Sequence, residues 1–322
     1  YITIASTGNS TDFGDALLKA GQSESQGGNG CAGGGRGIVF GGGYPSHNII
    51  QYVTIASPGN GTDFGDMIQN NYNGGALSNG ARGVHGGGDG VDESVNIIEY
   101  ITIASTGNST DFGDLLVAVG SGLAGFCDGT RGCFAGKIGP NYSETDYGIQ
   151  YITVATTGNA TDFGDLTVYR YSLAAVENGV RGVISSGRSG GYVNTMDYVT
   201  IASTGNATDF GDATIAVKSR GPASNGTRGV FAGGYPVSGN NSNVMDYITI
   251  ANTGNASDFG DLNAVQDGPA GSSSLTRAIA GGGNTPGAVN IIQTIEFATQ
   301  GNASDFGDLT SARDVPAGTS ST

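Results

Sequence analysis

The phrase Asp-Phe-Gly-Asp occurs seven times in this chain, with its Phe at 13, 64, 112, 163, 210, 259 and 306. Two carboxylates so close together invite three chemistries: magnesium binding of the kinase type, calcium ligation, and acid–base cleavage of a glycosidic bond. A kinase metal motif is single and comes with a catalytic loop, and a catalytic carboxylate pair is likewise unique. Seven copies are therefore positional. Calcium takes six to eight oxygens, so Asp12, Asp15 and their equivalents would be a thin ligand set even with nearby Asn and carbonyl groups. Asp more often caps a turn by accepting backbone N–H groups.

The remaining reactive residue types are sparse. His47 and His85 are the only histidines and fall in different repeats. No Ser-His-Asp arrangement, Cys-x-x-Cys pair or Walker loop accompanies them. A copper oxidase would need a His/Tyr/Cys ligand set that they cannot supply. The sequence therefore predicts no enzyme and no cofactor. Three cysteines cannot build a disulfide framework. Cys127 and Cys133 could face each other across a hairpin, but free thiols are the expectation. Asn9, Asn60, Asn108, Asn159, Asn206, Asn255 and Asn302 each open an Asn-x-Ser/Thr triplet, formally a glycosylation acceptor. The alternative is a Gly-Asn turn in which Asn tolerates positive φ.

What positions these residues is the repeat. The Phe steps are 51, 48, 51, 47, 49 and 47 residues, and an Arg in a Gly-rich run recurs at 36, 82, 131, 181, 228 and 277. Repeats of this length mean propellers, solenoids or arrays. In one repeat, Leu173-Ala174-Ala175-Val176 precedes the turn Glu177-Asn178-Gly179, and Arg181-Gly182-Val183-Ile184 follows. Then come an alternating run from Met196 to Ala202, a tip at 204–208, and an extended stretch from Phe210 to Val217. That makes four short β-branched or aromatic strands bounded by Gly/Asn turns, without a 3.6-residue apolar period. Four antiparallel strands in such a length form one propeller blade.

The expected fold is thus all-β: one domain over residues 1–322, a seven-bladed propeller of four-stranded antiparallel blades. Residues 1–16 would supply the third and fourth strands of a blade whose first strand begins near Pro316, so that the two ends share one sheet and no edge stays open. The absent second strand suggests a fragment of a longer chain. A linear array is the rival arrangement. The expected role of Phe13 and its six equivalents is packing between blades, at about 1.5–3 kcal/mol for each buried ring. The repeated Arg residues, Arg36, Arg82, Arg131, Arg181, Arg228 and Arg277, invite one Arg–Asp fork per blade with the outer strands. Variation is greatest in the loops after the second strand, so Tyr44, His47, Tyr142 and Tyr235 are the candidates for an interaction rim, able to stack on a sugar or pack on a neighbouring subunit.

Composition narrows the partners. Formal charge is −15, from 28 acids against 13 bases, in a chain with 60 Gly and no Trp. Such a surface repels a phosphate backbone, which argues against nucleic acid. No apolar run approaches the ~20 residues of a membrane span, so membrane insertion is not expected.

Gly-Gly after the second strand (Gly42-Gly43, Gly87-Gly88, Gly233-Gly234, Gly282-Gly283), then a Tyr (Tyr52, Tyr100, Tyr247) and a large aromatic (Phe64, Phe112, Phe259), resembles the kelch repeat. It departs in using Phe for the usual Trp, in a longer hairpin, and in Ser185-Ser186 where two glycines belong. The run Tyr247 to Asp261 resembles kelch-like repeats in virion structural proteins of tailed phages, cyanophages especially, and the match extends over nearly the whole chain. The resemblance implies a virion protein: a fibre, tail or head appendage, oligomeric within its assembly, docking on other virion proteins and on a host surface glycan. The alternative is a secreted cell-surface adhesin or lectin, glycosylated at the Asn tips and polymeric.

Overall fold

The computed structural model describes residues 29–318 apart from 44–45, 58, 92, 121, 137–147 and 315. The described residues contain strands and turns only. They form six four-stranded antiparallel sheets, spanning 29–71, 75–119, 124–165, 174–212, 221–261 and 270–313, and each runs in simple meander order from an inner to an outer strand. The first blade shows the plan: Asn29–Gly33, Arg36–Phe40, His47–Thr54 and Thr62–Asn71.

The inner strands stand side by side around a common axis. A Cβ added to Gly125 would lie 2.5 Å from the carbonyl oxygen of Ala76, one blade back. The same relation links Gly318 to Gly271 (2.6 Å) and Gly30 to Gly318 (2.8 Å). Residues 316–318 thus occupy the inner-strand place of a seventh blade, between the sixth and the first, and the row of inner strands closes on itself. This is a β-propeller. The third and fourth strands expected from 1–16 lie outside the described residues.

The burial of each blade lies between blades. Phe64, Phe40 and Ile50 of the first blade share a core with Ile101 and Ile103 of the second. Phe112 likewise packs with Ile152, Val154 and Ala160 of the third. A lone blade would leave those faces wet, so the units are stable only as neighbours.

Two local expectations differ from the structure. The stretch from Phe210 to Val217 is not one strand: the outer strand is Thr208–Asp212, and Val217–Lys218 pairs instead with Tyr235–Pro236 in the loop of the next blade. That loop partner lies in another repeat, so no local pattern reveals it. The loop at 186–194 also carries a small hairpin, Arg188–Ser189 against Gly191–Tyr192.

Candidate functional site

The repeated phrase is a joint between blades. In each outer strand the ladder slips by one residue at the Phe: Ile50 faces Gly65 and Gln51 faces Asp63, leaving Phe64 as the extra residue of a β-bulge. The same slip recurs in the other five blades. A bulge re-aims a side chain, and here it turns the ring into the interblade core, where Phe64, Phe112, Phe163, Phe210, Phe259 and Phe306 are all 2% exposed. The Asp before the Phe holds the bulge locally. Asp63, Asp111, Asp162, Asp209, Asp258 and Asp305 each accept the N–H of the Gly two residues on, at 2.9–3.1 Å.

The hairpin tip of the next blade then docks on this bulge through three hydrogen bonds. Gly254 N–H donates to the Phe210 carbonyl (2.7 Å), Ala256 N–H to the Asp212 carbonyl (2.8 Å), and Asp212 N–H to Asn255 Oδ1 (3.0 Å). Equivalent triplets join Gly107, Asn108 and Ser109 to the first blade, and Gly158, Asn159 and Ala160 to the second. Gly205, Asn206 and Ala207 dock on the third, and Gly301, Asn302 and Ala303 on the fifth. The tip Asn residues do not adopt positive φ; the glycines do. Asn is required as an acceptor that reaches across the junction. Its side chain is nonetheless exposed at 108, 159, 206, 255 and 302. Phe13, Asp12, Asp15 and Asn9 lie outside the described residues.

The repeated arginines do not meet the outer-strand Asp groups. Five of the six guanidinium groups lie over the Tyr of their own third strand: Arg36 over Tyr52, Arg82 over Tyr100, Arg131 over Tyr151, Arg181 over Tyr198 and Arg228 over Tyr247, with Cζ 4.1–4.6 Å from the ring centre. Each also donates to a carbonyl in the following blade: Ile103, Val154, Ile201, Ile250 and Phe297 respectively. The Tyr in turn meets the bulge Phe edge-on at 5.7–6.0 Å. Cation–π stacking and a carbonyl of the next blade take the place of the expected ion pair, and the carboxylate before each Phe is held by the bulge glycine. In the sixth blade Thr294 stands where Tyr would be, and Arg277 pairs with Glu296 of the adjacent strand instead.

A second joint was not legible in the sequence. The residue before that Tyr is polar and buried in every described blade: Gln51, Glu99, Gln150, Asp197, Asp246 and Gln293. Five of them accept a backbone N–H from the preceding blade: Ile68 to Glu99 (2.8 Å), Leu116 to Gln150, Thr167 to Asp197 (3.1 Å), Thr214 to Asp246 (3.2 Å), and Asn263 to Gln293. Two of the three carboxylate acceptors carry a buried cation: Arg170 pairs with Asp197 at 2.9 Å and Arg220 with Asp246. Glu99 instead accepts the Ser109 hydroxyl at 2.6 Å, with His85 Nδ1 3.5 Å away. Burial depresses both guanidinium pKa values, and the partner carboxylate opposes that shift. A polar residue recurring beside the Tyr was the signal available.

Of the rim candidates, His47 is fully buried at the start of its strand and cannot contact a partner. Tyr44 and Tyr142 lie outside the described residues. Tyr235 does sit on the loop rim, half-buried, and meets Tyr192 of the preceding blade edge-to-face at 6.0 Å. Lys218 Nζ is 5.5 Å from the Tyr235 ring centre, and Arg188 Cζ is 5.8 Å from that of Tyr192. Asp267 is the acid beside Lys218; burial raises its pKa while Lys218 lowers it.

All three cysteines are free thiols. Cys127 faces Gly132 in the ladder while Cys133 faces Phe126. Burial pushes the thiols up to about 12 for Cys31, about 11 for Cys127 and about 12 for Cys133, which keeps them unreactive. Among the described residues no group of three or more His, Cys, Asp or Glu is placed to hold a metal ion. A cavity of about 20 Å³ between the fifth and sixth blades is lined by Gly221, Ala223, Ala232, Ala278 and Ala280 among others. It is apolar, and belongs to the core rather than to a site.

No family model matches the chain, and none of the curated proteins matches its sequence. Solved structures do. The structure of YjhT aligns with a TM-score of 0.70 at 11% identity, covering 86% of this chain and 97% of that one. At that identity the likeness shows the fold alone, and propellers host unrelated functions.

Proposed function

We propose that this protein is a non-enzymatic structural protein of a tailed-phage virion, a rigid module that docks on other virion proteins and attaches to a host surface through its loop rim. The phage assignment rests on the resemblance of the Tyr247 to Asp261 phrase. One observation carries the docking role: the bulge, the tip triplet and the Arg–Tyr–Phe stack engage the first Asp of each phrase, the tip Asn and the repeated Arg in the fold itself, so recognition is left to the chemistry that varies between blades on the loop rim. Loops held on such a scaffold are suited to recognition. Mass spectrometry of purified phage particles tests the reading. The chain should appear with capsid and portal peptides, and its absence from particles would sink the assignment.

A secreted adhesin or lectin is the second reading, favoured by the exposure of the tip Asn side chains. Their Oδ1 atoms make the interblade bond, so the amide nitrogen is the atom left to carry a glycan without opening the junction. A mass decrease on treatment with an N-glycosidase, in protein from its native source, would support it.

A further inference from the structure

The cations of this acidic protein are few, and most of those among the described residues are engaged by the fold. Six arginines are held on the turn rim, five on Tyr and one on Glu296. Arg170 and Arg220 are buried against Asp197 and Asp246. Arg188 and Lys218 also lie over tyrosines, but at 5.5–5.8 Å and on the opposite, loop rim. They stand on the loop rim of the fourth and fifth blades, Arg188 exposed and Lys218 half-buried.

Both are built into ordered structure. Arg188 lies in the Arg188–Ser189/Gly191–Tyr192 hairpin, and Lys218 in the pairing of Val217–Lys218 with Tyr235–Pro236. The Tyr192 and Tyr235 rings meet edge-to-face at 86°, with Arg188 over the first ring and Lys218 over the second. Asp267 is the acid beside Lys218, while no ion pair to Arg188 is formed among the described residues.

We infer that this corner, Arg188, Tyr192, Lys218 and Tyr235, binds an anionic polysaccharide. A pyranose ring would rest its C–H face on the part of a tyrosine that the cation leaves uncovered, with the other ring as a wall, and a ring carboxylate would reach the exposed Arg188 guanidinium. Aromatic rings beside a cation suit a carboxylated sugar better than a bare anion, which needs no stacking face, or a neutral sugar, which needs no cation. The inference rests on the attachment reading above and specifies its ligand class.

Affinity electrophoresis of the full 322-residue chain through gels containing polygalacturonate, with neutral dextran as the control, tests it. Polygalacturonate should retard the wild type, dextran should not, and added salt should weaken the retardation. The double variant Arg188→Glu/Lys218→Glu should lose at least about tenfold in apparent affinity, as charge-assisted contacts are removed and reversed. Tyr192→Ala should weaken it with the charges intact. Should the double variant misfold, Arg188→Gln keeps the side-chain stem and must still weaken binding. Absence of retardation, equal retardation by dextran, or retardation indifferent to these substitutions overturns the proposal. Particle mass spectrometry reads the virion assignment without any glycan, so the two ideas fail separately.

Discussion

Replacing Gly211 by Ala should open the junction between the fourth and fifth blades. Gly211 has φ of +132°, and a Cβ there would sit 2.5 Å from the carbonyl carbon of Gly254 in the docked tip. Backbone lies on both sides, so no flexible side chain can yield. Relief requires the tip to move off, with loss of the bonds from Gly254 to Phe210, from Ala256 to Asp212, and from Asp212 to Asn255. At about 0.5–1.5 kcal/mol net for each bond, plus about 1–3 kcal/mol for Ala in that backbone region, the cost is about 2.5–7.5 kcal/mol. Gly226→Ala is the control. Gly226 has φ of +80° but nothing within 4 Å of an added Cβ, so only the left-handed strain of about 1–2 kcal/mol applies. Urea unfolding midpoints should separate the two variants clearly. Amide exchange gives the local readout: protection of Gly254 and Ala256 should fall in Gly211→Ala and hold in Gly226→Ala. Equal midpoint shifts, or intact protection at Gly254 and Ala256 in Gly211→Ala, would refute the interblade joint.

Three further outcomes follow from the packing. Ala280→Val should raise stability by about 1 kcal/mol, read as a higher Tm, because Ala280 borders the cavity between the fifth and sixth blades where Phe134, Ile184 and Phe231 stand in other repeats. Arg220→Ala should cost about 3–5 kcal/mol in urea unfolding by leaving Asp246 buried without its cation, whereas Arg220→Met with Asp246→Asn should recover much of that loss. Glu177 has a pKa raised by burial, against a lowering bond from Gly179 N–H. Its folded state then binds protons more readily than its unfolded state, so its contribution favours folding as pH drops through the window just above the ordinary carboxyl value. Glu177→Gln should flatten that part of the stability–pH profile and leave the protein more stable than wild type at neutral pH.

Much of the propeller is written locally. The near-50-residue period, the Asn-Gly and Gly-Asn turns and the β-branched runs depend on residues a few positions apart, and they specify strand, turn and blade without reference to the rest of the chain. The burial of Phe64 and its equivalents was also approachable, since a repeated aromatic in a strand has to be covered by something. The loop hairpin at Arg188–Tyr192 and the pairing of Lys218 with Tyr235 were less so, because short polar segments carry little periodicity.

The joints between blades needed the tertiary structure. Arg131 donates to the carbonyl of Ile201, 70 residues on, and Asn255 reaches the N–H of Asp212, 43 residues back. Asp and Arg recur at matched intervals, which makes an ion pair look natural from spacing alone. Only the register slip at Phe64 shows that Asp63 is already bonded to Gly65, and only the neighbouring blade supplies Arg36 with its acceptor at Ile103. Sequence sets which groups recur; their choice among donors and acceptors depends on which are left unsatisfied after folding, and that is settled by geometry between distant parts of the chain.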